Sequence, residues 1–244
     1  MAAIHGKGAQ AYLNAVAVKT YLTKIAVGVD ASVEEDTGIG PTGDFRTKTT
    51  GGIKDGSLSF SGVYAASAGS DTTFRAALGV SPGYWLVAPA GTGTVGSRAF
   101  IVDAIENDYS IATPVEGIVT LDGSAEPDGG VWLAYLLHGE SAETATGDGT
   151  VYDLGANAPY SNGFAAALHV VAAGGTTPTC DVVIETATDS VFTVPIAVAT
   201  FTQATGVTSE MLSGTTEIKR YIRATWTLGG TSPTFTIVTA LAVK

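Results

Sequence analysis

Alternation with a period of two, repeated from segment to segment and punctuated by glycine, restricts this chain to strands. In "DGSLSFSGVY", residues 55–64, Leu58, Phe60 and Tyr64 fall on one side and Ser57, Ser59 and Ser61 on the other. Such a run describes a half-buried strand, here entered through a tight turn at Lys54-Asp55-Gly56. In "RYIRATWTL", residues 220–228, Ile222, Ala224, Trp226 and Leu228 oppose Tyr221, Arg223, Thr225 and Thr227. "LGGTSPTF" then turns into a last strand with Phe235, Ile237 and Leu241 on one face. With 31 glycines and only 14% charged residues, the 244-residue chain suits many strands joined by glycine turns rather than a helical bundle or a disordered tail.

In the first half the pattern predicts strands near 9–16, 22–32, 56–65, 84–89, 97–105, 108–121 and 130–138. One helix is expected in "SDTTFRAALGV", with Ser70 as N-cap and Asp71 at the positive helix end. Phe74, Ala77 and Leu78 share a face of it, and Gly79 closes it. The second half reads as strand throughout: "AALHVVAA", "CDVVIETA", "AVATFTQA", "EIKRYIRATWTL" and "TFTIVTALAV". That spacing describes a compact β-sandwich. The polar stretch "GESAETATGDGTVYDLGAN", residues 139–157, marks the boundary between units 1–145 and 151–244. No apolar run is long enough for a membrane helix, and "MAAIHGKGAQAY" has no signal-peptide core. The single cysteine, Cys180, excludes an intrachain disulfide and suits a reducing compartment.

No enzyme site survives a search of the motifs. "GVSPG" (79–83) has the Gly-x-Ser-x-Gly spacing of a nucleophile elbow, but Pro82 lacks the N–H that would serve the oxyanion. It reads as a helix-to-strand turn. "GTGTVG" (91–96) is followed by a strand pattern rather than a helix, so it reads as a hairpin loop. His5, His138 and His169 lack partners at metal-ligand spacing, and His169 is expected half-buried in a sheet. The cluster Asp30, Glu34, Glu35 and Asp36 lacks a calcium-loop pattern, so it reads as a solvated loop or contact surface. Cofactors and metals are therefore not expected. The net charge of −11 is concentrated in residues 1–150, which carry 8 basic and 17 acidic groups. Such a chain will not grip nucleic acid through its phosphates, though a negative wall leaves DNA free to slide.

Four stretches, in order, resemble the major tail tube protein of long, flexible, non-contractile-tailed bacteriophages. They are "GKGAQAYLNAVAVKTYLTKIAVGVDASVEEDT", "GGIKDGSLSFSGVY", "SDTTFRAALG" and "NDYSIATPVEGIVTLDGSAEPDGGVWLAYLLH". The resemblance covers roughly residues 6–140, while 151–244 is similar to the accessory outer β-sandwich many such proteins carry. It implies a mainly β fold: a tail-tube β-sandwich or barrel with one flanking helix, then a C-terminal all-β sandwich domain. It implies a structural virion protein, not an enzyme, assembled in the host bacterial cytoplasm. Hexameric rings would stack into a tube that conducts genome DNA without binding it tightly, and no membrane would take part. Its partners would be other copies of itself, the tail tip and tail terminator proteins, and the tape measure protein. In the family a long loop, here "TGIGPTGDFRTKTTGG", reaches the neighbouring ring. Its flanks start acidic at Glu34, Glu35 and Asp36, pass Asp44, and end basic at Arg46, Lys48 and Lys54, so copies could pair charge with charge. Ser57, Ser59 and Ser61 would then line the lumen or touch the next subunit. Two other readings fit β-rich composition: a capsid decoration protein, and a carbohydrate-binding adhesin using Trp85, Trp132 or Trp226 as sugar platforms.

Overall fold

The computed structural model describes residues 6–35, 48–65, 69–155 and 158–244. Thirteen strands and one helix account for most of them. The strands are β1 (Gln10–Leu13), β2 (Val16–Ala17), β3 (Leu22–Glu35), β4 (Lys48–Val63), β5 (Tyr84–Ala88), β6 (Arg98–Ala112) and β7 (Thr120–Glu143). There follow β8 (Gly147–Asp148), β9 (Tyr152–Asp153), β10 (Phe164–Ala187), β11 (Ile196–Thr200), β12 (Thr208–Gly214) and β13 (Tyr221–Val243). Helix α1 (Ser70–Ala77) lies between β4 and β5. The fold is mainly β, with every named strand pair antiparallel in one 13-stranded sheet whose main path runs β11-β10-β13-β7-β6-β5-β1-β2.

That sheet curls. Tyr12, Leu86, Ile101, Leu136, Val238 and Ala165 come from six strands consecutive on the path, yet they join a single buried cluster. Flat strands about 4.8 Å apart would put β1 and β10 roughly 24 Å from one another. Instead the rings of Tyr12 and His169 are 5.9 Å apart, and the Ala15 N–H donates to His169 Nδ1 at 3.2 Å. Two further cores lie outside the roll. One holds Phe164, Trp226, Phe235 and Ile184 between β10, β13 and β11. The other sits between β3–β4, α1 and the outer face of β1, β5 and β6. β7 connects the units at either side of residues 139–157: Ala134, Tyr135 and Leu136 pair with Ala242, Leu241 and Ala240 of β13.

Several local expectations give way to tertiary pairing. Lys54-Asp55-Gly56 is no turn; β4 runs straight through it, with Asp55 opposite Asp30 and Gly56 opposite Val29. A Cβ at Gly56 would meet Val131 Cγ2 at 2.5 Å, so this glycine permits close packing rather than reversal. "LGGTSPTF" likewise stays within β13 and bends beside the equally glycine-bearing middle of β10, where the register shifts twice between Gly174 and Thr179. The stretch 108–121 divides into the end of β6 and the start of β7. Ser70 lies within α1 rather than capping it: its buried hydroxyl donates to the Val63 carbonyl and accepts the Ala65 N–H, fastening the helix to the end of β4. Leu78, expected on the buried face, is 43% exposed. β12 pairs with Phe164–Val170 of β10, a strand that the composition of "TSEMLSG" does not announce.

Candidate assembly face

Within the large sheet, β3, β4, β7 and β6 form a four-stranded unit. β4 pairs with β3 on one edge and with Leu121–Ala125 of β7 on the other, and β7 continues to β6. Residues directly opposite in an antiparallel ladder share a face. Ser61 therefore stands between Lys24 and Asp122, Ser59 between Ala26 and Ser124, and Ser57 beside Gly28. Asp122 and Ser124 in turn oppose Ser110 and Asp108. Ser57 and Ser59 are exposed and Ser61 is half-buried; none of the three hydroxyls has a partner among the described residues.

The face is small and acidic. Asp30, Asp55, Asp108, Asp122 and Glu126 are all exposed on it, against Lys24 as the one cation among the described residues. A local network holds its β6–β7 side: Ser124 Oγ donates to Asn107 Oδ1 at 2.8 Å, and Asn107 Nδ2 donates to Glu126 Oε1 at 3.2 Å. Sequence reasoning found the serines but missed the carboxylates that register places beside them. The period-two runs Asp108/Ser110 and Asp122/Ser124/Glu126 were the available signal.

The opposite face is packed. Leu58 and Phe60 point from β4 into the core, where Phe60 and Phe74 stack at 4.4 Å between centroids and Trp85 lies 5.5 Å from Phe60. Asp71 accepts bonds from Arg75 and from the Tyr109 hydroxyl at 2.8 Å, anchoring α1 over β6. The Tyr109 hydroxyl, first among other causes, holds the Asp71 carboxyl below its ordinary range. Beneath the helix, Glu106 is 1% exposed, with both carboxylate oxygens unpartnered. Burial, with Asp108 nearby, pushes its pKa up to about 8.

Among the described residues the β3 edge of this unit is open, whereas the β6 edge is open only beyond Glu106, whose carbonyl accepts the Gly79 N–H at 2.8 Å. β3 pairs only with β4 along its length, while β5 covers β6 at Phe100–Asp103, and Gly83 and Leu78–Gly79 extend that cover to Ala104 and Glu106. Glu34 and Glu35 are the last residues of β3 and Lys48 the first of β4, with Glu35 opposite Lys48, so these three lie in the hairpin arms rather than in a loop. Asp36, Asp44 and Arg46 lie outside the described residues.

Other singled-out groups have structural surroundings. Trp85 and Trp226 are buried and unable to stack a sugar from solvent, and the Trp132 ring lies under Lys244 Nζ. His169 is fully buried rather than half-buried, and burial lowers its pKa to about 3. "GVSPG" forms the turn from α1 to β5, and "GTGTVG" the loop from β5 to β6. Cys180 is buried within β10.

No protein-family model matches the chain, and no curated protein matches it. Among solved structures, a chain of the native gene transfer agent virion is 16% identical with a TM-score of 0.44, covering 54% of this chain and 98% of its own. The anti-feeding prophage cap, which terminates a tube, is 17% identical with a TM-score of 0.41, covering 55% of this chain and 91% of its own. The SPP1 Dit protein, titled a hub adsorption apparatus paradigm of phages infecting Gram-positive bacteria, is 9% identical with a TM-score of 0.38, covering 97% and 99%.

Proposed function

We propose that this chain is the major tail tube protein of a long-tailed, non-contractile phage, polymerising as stacked hexameric rings around a DNA channel. The observation that carries the reading is the four-stranded unit with an open β3 edge, a β6 edge open beyond Glu106, and one small, carboxylate-rich, unpacked face. Open edges of this length invite aggregation unless another strand satisfies them. Joining β3 of one copy to the end of β6 beyond Glu106 in the next satisfies both and continues the sheet around a ring. The free face then lines the channel, where serines present little bulk and carboxylates repel phosphate. Head-to-tail stacking needs a heterologous interface, in which different patches meet. Residues 151–244 form the outward accessory sandwich in this reading, joined to the tube unit through the β7–β13 ladder. DNA, the tape measure protein and the tube's terminating proteins are the partners it implies, in the virion tail.

The test is sedimentation and negative-stain microscopy of concentrated protein. Stacked rings with a stain-filled channel are expected. Closed trimers or a species that binds only capsid shells would overturn the reading in favour of a decoration protein.

A further inference from the structure

One end of the four-stranded unit carries an apolar loop on one side and a basic groove on the other. The loop is the β6–β7 connection, residues 113–119, exposed from Thr113 to Ile118. Val115 is fully exposed, Ile118 is 68% exposed, and Ile111 just before the loop is also exposed. Glu116 is the loop's single charge and has no partner among the described residues. Large apolar side chains gathered at one tip mark a contact surface. The groove, about 730 Å³, lies at the start of β3, where Leu22 and Ile25 give it an apolar wall. Lys19 and Lys24 line it too; both are exposed and make no ion pair among the described residues. No acidic side chain lies on its described lining, and Gln10 adds a buried side-chain oxygen with no donor.

Register sets loop and groove at the same height. Ile111, Leu121, Gly62 and Leu22 form one row across the four strands, and Asp108, Ser124, Ser59 and Ala26 form another. The open end of β6 beyond Glu106 therefore spans the rows that β3 spans from Leu22 to Ala26, where β3 has no outer partner among the described residues. β6 also runs antiparallel to β3, because three antiparallel pairs separate them. A copy rotated about an axis along the strands thus brings open edge to open edge in the antiparallel sense of every other pair. Its 113–119 loop then passes Leu22 and reaches Lys19 and Thr20. Ile111, which shares a row and so a face with Leu22, continues the apolar wall, and Glu116 meets Lys19. Within one copy β4 and β7 stand between loop and groove, three strand spacings or about 14 Å apart, so a second copy must fill the groove.

We propose that the 113–119 loop of one copy seats in the Lys19–Lys24 groove of a second copy beside it, an inference that rests on the tube reading and adds a socket to its strand junction. The test uses the full chain. Val115→Lys with Ile118→Lys sets like charges against the groove and is expected to lose about tenfold or more of the sedimentable assembly. Both side chains are exposed, so circular dichroism and the thermal midpoint should stay at their wild-type values. Glu116→Lys and Lys19→Glu should each weaken assembly, and the variant carrying both should recover it. Lys19→Cys with Glu116→Cys, oxidised, should give a covalent ladder ending at the hexamer on a non-reducing gel. Either single-cysteine variant should give none, because Cys180 is buried. A wild type that assembles while the loop and charge variants are indifferent overturns this inference alone. So does an assembled double-cysteine variant without a ladder. A wild type that never assembles overturns it together with the tube reading.

Discussion

Replacing Glu106 by glutamine should stabilise the protein, and increasingly so as pH rises. The side chain is 1% exposed under α1 and neither carboxylate oxygen has a partner, while its backbone carbonyl already accepts the Gly79 N–H at 2.8 Å. Burial raises its pKa from 4.5 to about 8. Below the unfolded value the acid is protonated in both states and contributes no pH dependence. Between the two values the unfolded chain releases the proton and the native state retains it, so stability falls with pH. Above about 8 the native state ionises as well and the slope vanishes. Full ionisation corresponds to at most about 5 kcal/mol; relaxation around the site reduces this to about 2–4 kcal/mol. Glutamine retains unpartnered polar atoms but never acquires the charge. Urea unfolding of dilute wild type and Glu106→Gln from pH about 4 to about 9 isolates the difference, because all other groups titrate alike in both. The gap should be near zero at the acid end, open through neutrality and level off above about 8. A gap independent of pH, or a variant less stable in alkali, would refute the placement of a buried, unpartnered acid.

Phe74→Ala removes the ring stacked on Phe60 at 4.4 Å and should cost about 3–5 kcal/mol in the same unfolding assay, with α1 detaching first in hydrogen exchange. Gly62→Ala drives a Cβ into the Tyr21 carbonyl oxygen, which accepts the Val63 N–H at 2.9 Å, so a loss of about 2 kcal/mol or more is expected by thermal melting. Changing Ser57, Ser59 and Ser61 together to lysine should leave tube yield nearly intact in microscopy yet slow genome delivery in an ejection assay. Failure of those tubes to form would contradict a lumen position for the serines.

Strand content was legible because alternation survives in "GSLSFSG" and "RYIRATWTL" whatever their neighbours. Where the chain bends was not. Gly56 and Gly229-Gly230 look like turn formers in isolation, but long-range ladders with β3 and β10 hold them inside strands. Ser70 has the composition of an N-cap, yet its hydroxyl serves β4 because the helix is fastened from below. The serine row was visible as a pattern within one strand. Its acidic surroundings were not, since Asp108, Asp122 and Asp30 reach it only through register, which no local window contains. The curl that brings Tyr12 against His169 depends on pairing across residues 139–157, where composition alone marks a boundary.

The claim on which the rest depends is that the β3–β4–β7–β6 unit closes between copies. Helical cryo-electron microscopy of the assembled full-length protein tests it most directly. The account predicts sixfold rings in which β3 of each copy pairs with β6 of its neighbour, with Ser57, Ser59 and Asp122 facing the channel. An assembly in which those two edges stay apart, or in which the acidic face is packed against residues 151–244 of another copy, would contradict it.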